Sequence, residues 1–146
     1  MPEASPTVLI FETTAGDPPV EFLGDSSDIV YFISMAHSER YGADHPLAKA
    51  ASAIKRRLRL PMGPLLNFGD AAPDNAAEQE LLEHLWQDAA ALAECARSVA
   101  TAIESDEEVR EMTAALPELP ERLRELAAMA EWAAEHGAQV RLTFVL

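Results

Sequence analysis

Along the second half of the chain, apolar residues recur at alternating steps of three and four. The first stripe is Leu82, Leu85, Ala89, Leu92, Ala96, Val99 and Ile103; the second is Leu116, Leu119, Leu123, Leu126, Ala130 and Ala133. Such steps hold a narrow seam on one helix face, the packing condition for near-parallel helices. The first stripe predicts a helix from about Asp74 to Glu104, roughly 46 Å long at 1.5 Å per residue. The second predicts a helix starting at Pro117 or Pro120 and running to about His136, roughly 28 Å, with Gly137 as its C-terminal glycine. Between them, Ser105-Asp106-Glu107-Glu108 reads as a capping box that opens a short helix ending near Leu116. The long pair forms an antiparallel hairpin over 74–136, and its shorter arm cannot cover the longer one. Leu81, Leu82, Leu85 and Trp86 therefore need another surface, offered by the basic helix, the 61–73 loop or a second subunit, and a homodimer is the expected answer.

The two ends of the chain carry strand patterns. After a loose tail over 1–6, Thr7 to Thr13 contains the continuous run Val8-Leu9-Ile10-Phe11, which reads as a strand buried on both faces and hence a central one. Turn residues from Ala15 to Pro19 lead to a short apolar run, Val20 to Leu23, giving a predicted β-hairpin over 7–23. Gln139 to Leu146 alternates, with Val140, Leu142, Phe144 and Leu146 on one face and Arg141 and Thr143 on the other, a half-buried strand. Both ends then belong to one small sheet on which the helices pack. The fold class is α+β, mostly α-helical, with the long-helix pair over a sheet of N- and C-terminal strands, and 1–146 is one domain.

Two helices fill 26–59. Ile29 to Ile33 has strand composition, but the polar stretch Asp25 to Asp28 offers N-caps and the pattern continues as helix to the stop at Gly42. The second opens at Asp44 and Pro46 and carries Leu47, Ala51, Ile54 and Leu58 on one face. From Pro61 to Pro73, three prolines and two glycines predict a loop. Met62, Leu65, Leu66 and Phe68 make it apolar, so it is either tucked into the core or lines a pocket.

Composition adds limits. A hydrophobic share of 49% and a mean hydropathy of -0.06 fit a globular domain. No apolar run reaches the roughly 20 residues of a membrane span, and the first residues lack a secretory signal pattern. The single cysteine, Cys95, excludes an internal disulfide and fits a reducing compartment, so the cytoplasm is the expected location. The formal net charge is -14, and 16 acidic against 4 basic residues between Asp74 and His136 hold most of it. That field repels phosphate backbones and anionic membranes, so neither nucleic acid nor membrane is expected as a partner. The local exception is Lys49, Lys55, Arg56, Arg57 and Arg59, 5 of the 11 basic residues.

Motifs for common chemistries are absent: the sequence has no P-loop, dinucleotide fingerprint, HExxH, paired CxxC or GxSxG, and no cofactor is expected. Glu80, His84 and Asp88 share a helix face at i, i+4 and i+8, a spacing able to hold a divalent metal. They lie opposite the seam, where solvated salt-linked pairs are the ordinary reading, and no metal is expected. His37, Glu39, Asp44 and His45 cluster at a helix-to-helix turn and are the candidate acid–base group; the competing reading is helix capping. Asn67, Phe68 and Asp70 of the apolar loop neighbour them and are candidate ligand contacts. Arg56 and Arg57 are either an anion-recognition patch or a counter-charge to the acidic helices, and the second is favoured. Cys95 reads as a buried small hydrophobe, and Trp86 and Trp132 as anchors beside the seams.

The leading functional expectation is a small non-catalytic binding or regulatory protein that self-associates through its helical hairpin, with a further protein partner as a possibility. The alternative is a small enzyme or ligand-binding protein with a pocket between 37–45 and the 61–73 loop. An acidic mimic of nucleic acid ranks last, resting on charge alone.

Overall fold

The computed structural model describes residues 8–16, 18–19, 22, 26–38, 45–70 and 75–145. The C-terminal half builds the main layer. Helix α5 (Ala89–Ser105) and helix α7 (Leu119–Glu135) pack along the expected seam. Ala89, Leu92, Ala96, Val99 and Ile103 of α5 meet Leu119, Leu123, Leu126, Ala130 and Ala133 of α7, and all are buried. Ion pairs fix the direction: Arg97 meets Glu131, and Arg124 meets Glu104 at 2.5 Å. A residue late in one helix thus faces one early in the other, so the pair is antiparallel. Their connection is the short helix α6 (Glu107–Met112), whose N-cap Asp106 accepts a hydrogen bond from the Val109 amide at 3.0 Å. Gly137, at φ 65°, terminates α7 in the left-handed conformation that glycine adopts most cheaply.

Helix α1 (Ser27–Ser38) buries Ile29, Val30, Phe32, Ile33 and Ala36 against this layer. Helix α2 (Pro46–Ser52) buries Leu47, Ala48, Ala50 and Ala51 and runs on into a π-helical turn, Ala53–Arg57. That wider turn closes with the Leu58 amide on the Ala53 carbonyl at 3.0 Å. Arg59 follows at φ 56°, a left-handed position where a side chain is strained. The fold is α+β, as the pattern of the chain implies.

The sheet has its centre where the chain ends. Strand β4 (Gln139–Val145) pairs antiparallel with β1 (Val8–Thr13) on one side and parallel with β2 (Phe68–Asp70) on the other. A two-residue strand, β3 (Gln87–Asp88), adds antiparallel pairs to Val140 and Gln139. Register and the two-residue period place Leu9, Phe11, Val140, Leu142 and Phe144 on the face that joins the helical core. Ile10, Glu12, Arg141 and Thr143 occupy the opposite face.

Several expectations need correction. The apolar run of β1 does not make it central: β4 holds that place, and the Leu9 amide at the outer side of β1 bonds Ser26 Oγ at 3.1 Å. The hairpin over 7–23 is not formed as drawn, since β1 takes its partner from β4; Val20, Glu21 and Leu23 lie outside the described residues, and Phe22 carries no strand. The 61–73 segment is more than a loop: it holds a one-turn helix, α3 (Gly63–Leu66), and strand β2. Its apolar residues are tucked inward, with Met62 and Leu65 buried.

The largest difference is the long helix. The stretch expected as one rod over 74–104 is two helices, α4 (Ala76–Glu83) and α5, separated by His84 to Asp88. Asp88 explains the restart, because its carboxylate accepts from the Ala91 amide at 2.9 Å as the α5 N-cap. With 17 residues each, α5 and α7 match in length. The overhang that argued for a homodimer is therefore absent from the hairpin itself. No helix among the described residues is long and apolar enough to cross a membrane.

Candidate functional site

The α4–β3 corner lies on the sheet face turned away from the helical core. Gly69 of β2 permits the approach: a Cβ there would stand 2.8 Å from Leu85 Cδ1 and 3.8 Å from Leu82 Cδ2. Leu82 is buried in this contact, Leu85 and Trp86 are half-buried, and Leu82 is the one buried residue of α4. Leu81, one position earlier, is 63% exposed, while Tyr31 on α1 is the other large apolar residue in the open among the described residues.

Arg141 ties the corner to the sheet. Its guanidinium donates to Glu12 through Nε at 3.2 Å and Nη2 at 2.8 Å, and to the Leu82 carbonyl through Nη1 at 3.1 Å. The same group sits 4.6 Å from the centre of the Trp86 ring, a cation–π contact. Thr143 Oγ1 donates to Glu12 at 3.2 Å. Gln87 Nε2 reaches the Pro64 carbonyl at 2.9 Å, and Asn67 Nδ2 the Leu85 carbonyl at 3.2 Å. The corner is thus a docked segment held by one arginine, two amide side chains and a small apolar patch.

A shallow concave region lies along the outer side of α5. Leu58, Leu60 and Ala102 form its apolar part, with Glu94, Arg97, Ser98, Thr101 and Ser105 around them, enclosing about 490 Å³. At the end marked by Ser105, Arg57 grips Asp106 through two bonds of 2.8 Å and stands 4.0 Å from Glu108. That grip, helped by the Val109 amide, holds the Asp106 carboxyl down to about 2. Arg124 likewise lowers Glu104. Arg57 thus pairs with a carboxylate of the chain's own acidic hairpin. In α7, buried Arg122 donates to Glu125 at 3.1 Å.

The candidates named from sequence scatter. His45 is the N-cap of α2, its Nδ1 accepting from the Leu47 amide at 3.1 Å, and its ring lies 5.9 Å from Tyr31. The cap assigned to Asp44 belongs to His45 instead; Asp44 and Glu39 lie outside the described residues. His37 meets Phe68 edge-on at 6.3 Å between ring centres, and Phe68 meets Phe144 at 5.8 Å, so α1 and β2 do come together. Asp70 belongs to β2 by its backbone. Arg56 lies exposed on the π turn beside Arg57.

Glu80, His84 and Asp88 do not line one face. His84 closes α4 with Nδ1 at 2.8 Å from the Glu80 carbonyl, and Asp88 caps the next helix. Cys95 is buried, and burial pushes its thiol pKa up, away from the thiolate a nucleophile needs. Sequence reasoning missed the Arg141 clasp and the α4–α5 break. An aspartate followed by an alanine-rich amphipathic run was the readable signal for the break.

No family model, curated protein or solved structure matches the chain.

Proposed function

We propose that this chain is a small non-catalytic binding or regulatory protein that self-associates through the N-terminal arm of its helical region, α4. The observation that carries the reading is Leu81, a large apolar side chain 63% exposed on a helix with one buried residue. Leu81 lies beside the Leu82–Gly69 contact, so a second apolar surface laid over α4 would cover it. The titratable candidates support a non-catalytic role by what they do instead: His45 caps, His84 bonds backbone, and Arg57 and Asp106 hold each other. The buried thiol of Cys95 accords with a reducing, cytoplasmic setting.

The test is light scattering over a concentration series at two ionic strengths. The wild type should form dimers, more at about 0.5 M salt than at low salt, because screening relieves repulsion between two acidic chains. Leu81→Glu should shift the population to monomer and match the wild-type melting temperature at concentrations where the wild type is itself monomeric. A wild type that is monomeric at high micromolar concentration in both buffers overturns the reading.

A second reading, a small-ligand site between α1 and β2, draws support from the aromatic run His37, Phe68 and Phe144. Phe68→Ala should then abolish binding of whatever small aromatic or apolar molecule a fragment screen by NMR finds there. A screen without hits at these residues counts against it.

A further inference from the structure

We propose that the pocket where α5, α6 and α7 meet binds a small apolar monocarboxylate, with Arg110 as its charge partner. The site lies apart from α4 and does not depend on self-association. Ile103 of α5, Ala114, Leu116 and Pro117 of the link, and Pro120 of α7 wall a cavity of about 340 Å³. Glu104, Arg110 and Thr113 are its polar members. A space of this size, mostly apolar with a few polar groups, suits a compact organic molecule.

The walls are in place without a ligand. Ile103, Thr113 and Pro120 are buried, and two turns close the link between α6 and α7. In these the Leu116 amide bonds the Thr113 carbonyl at 2.9 Å, and the Leu119 amide the Leu116 carbonyl at 3.1 Å. Pro117 and Pro120 each fix a backbone dihedral in the same stretch. Leu116 is half-buried, so apolar surface remains open within a preorganised frame, and binding has little chain to order.

Charge decides the class of ligand. The chain has 25 acidic and 11 basic residues, and Arg57, Arg97, Arg122, Arg124 and Arg141 each pair with a carboxylate. Arg110 forms no ion pair among the described residues, although Glu107 stands one turn earlier on the same short helix. Its side chain borders the cavity instead. Glu104 shares the wall, but Arg124 holds that carboxylate through bonds of 2.8 and 2.5 Å. The Thr113 hydroxyl is spent on the Val109 and Arg110 carbonyls at 3.0 and 3.2 Å, which leaves the guanidinium as the side-chain donor for an incoming anion. One guanidinium matches one carboxylate in a forked pair. A dianionic phosphate would meet repulsion from Glu104, Glu107 and Glu111 around a single cation.

The experiment is an amide NMR titration of the full chain with cyclohexanecarboxylate, using cyclohexanecarboxamide and cyclohexyl phosphate as the neutral and dianionic probes. The acid should give saturable shifts at Ile103, Ala114 and Leu116 with a Kd below about 10 mM, the affinity within reach of so few atoms. The amide and the phosphate should bind roughly tenfold more weakly. Arg110→Gln should weaken the acid by about the same factor and leave the amide unaffected, and Arg110→Lys should recover part of the loss. The last turn of α6 favours a cation for its own sake, so the readout is acid against amide and not stability.

Wild-type protein without saturable shifts from the acid overturns the proposal. So does equal binding of acid and amide, or an Arg110→Gln variant that binds the acid as wild type does. Shifts confined to α1 and β2 assign the acid to the aromatic site there and overturn this one. Should Arg110→Gln lose the dispersed spectrum of the fold, Ala114→Phe decides, since Ala114 is exposed at the rim and its replacement fills the cavity; undiminished binding of the acid to it overturns the proposal.

Discussion

Replacing Arg141 by methionine removes four interactions while keeping most of the buried stem, which isolates the charged head. The lost contacts are the two bonds to Glu12, the bond to the Leu82 carbonyl and the Trp86 ring contact. Hydrogen bonds to charged groups contribute about 1.5–3 kcal/mol each, and removing one partner of a buried pair costs about 3–5 kcal/mol. The Arg141 side chain is 14% exposed and that of Glu12 34%, so water takes over part of the solvation of Glu12. The expected destabilisation is about 2–4 kcal/mol. Unfolding entropy for a chain of this length is about 0.3 kcal/mol per kelvin, so the melting temperature should fall by about 6–13 °C.

Urea titrations of Arg141→Met, Glu12→Gln and the double variant close a cycle. Glutamine keeps an acceptor for Thr143, so the coupling reports the charge pair alone, and about 1–2 kcal/mol is expected. A single-variant loss below about 0.5 kcal/mol, or additivity within about 0.3 kcal/mol, would refute the claim that Arg141 clasps the corner.

Leu92→Ala should cost about 2–5 kcal/mol in the same assay, since the side chain is fully buried in the seam; a loss below about 0.5 kcal/mol contradicts the packing. Asp106 ties α6 to the π turn through a carboxyl held at about 2, below its ordinary 3.8. Because the folded value is the lower one, the stabilisation is present above about pH 4 and fades as pH falls towards 2. Asp106→Asn should therefore melt below wild type at pH 7, and the gap should shrink in acid and at 1 M salt. A gap independent of pH assigns the loss to something other than the Arg57 grip.

The seam was legible because helix packing repeats along the chain: every position from Leu92 to Ile103 and from Leu119 to Ala133 that the spacing assigned inward is buried. The alternation of Val140, Leu142 and Phe144 likewise revealed β4. Strand order was not legible, because a continuous apolar run looks the same in a central strand and in an outer one whose second face is partly covered, as β1 is where Arg141 bonds Glu12. The α4–α5 break escaped for a different reason. Periodicity continues through it, and the deciding energies come from β4 and Pro64, which are remote in sequence. The candidate site was hidden by the same remoteness: Arg141 read as an ordinary polar strand residue until Glu12, Leu82 and Trp86 were around it.

The central position of β4 has a consequence for how the protein is made. Glu12 and Arg141, paired across the sheet, are 129 residues apart in the chain. A ribosome adding about 5–20 residues per second leaves β1 without its partner for roughly 6–26 seconds. Through that interval Val8 to Phe11 is a naked apolar strand, the type of segment that pairs with whatever strand it meets first. Strand β4 is the last of the described elements to be synthesised, so the sheet is the part of the fold that closes last.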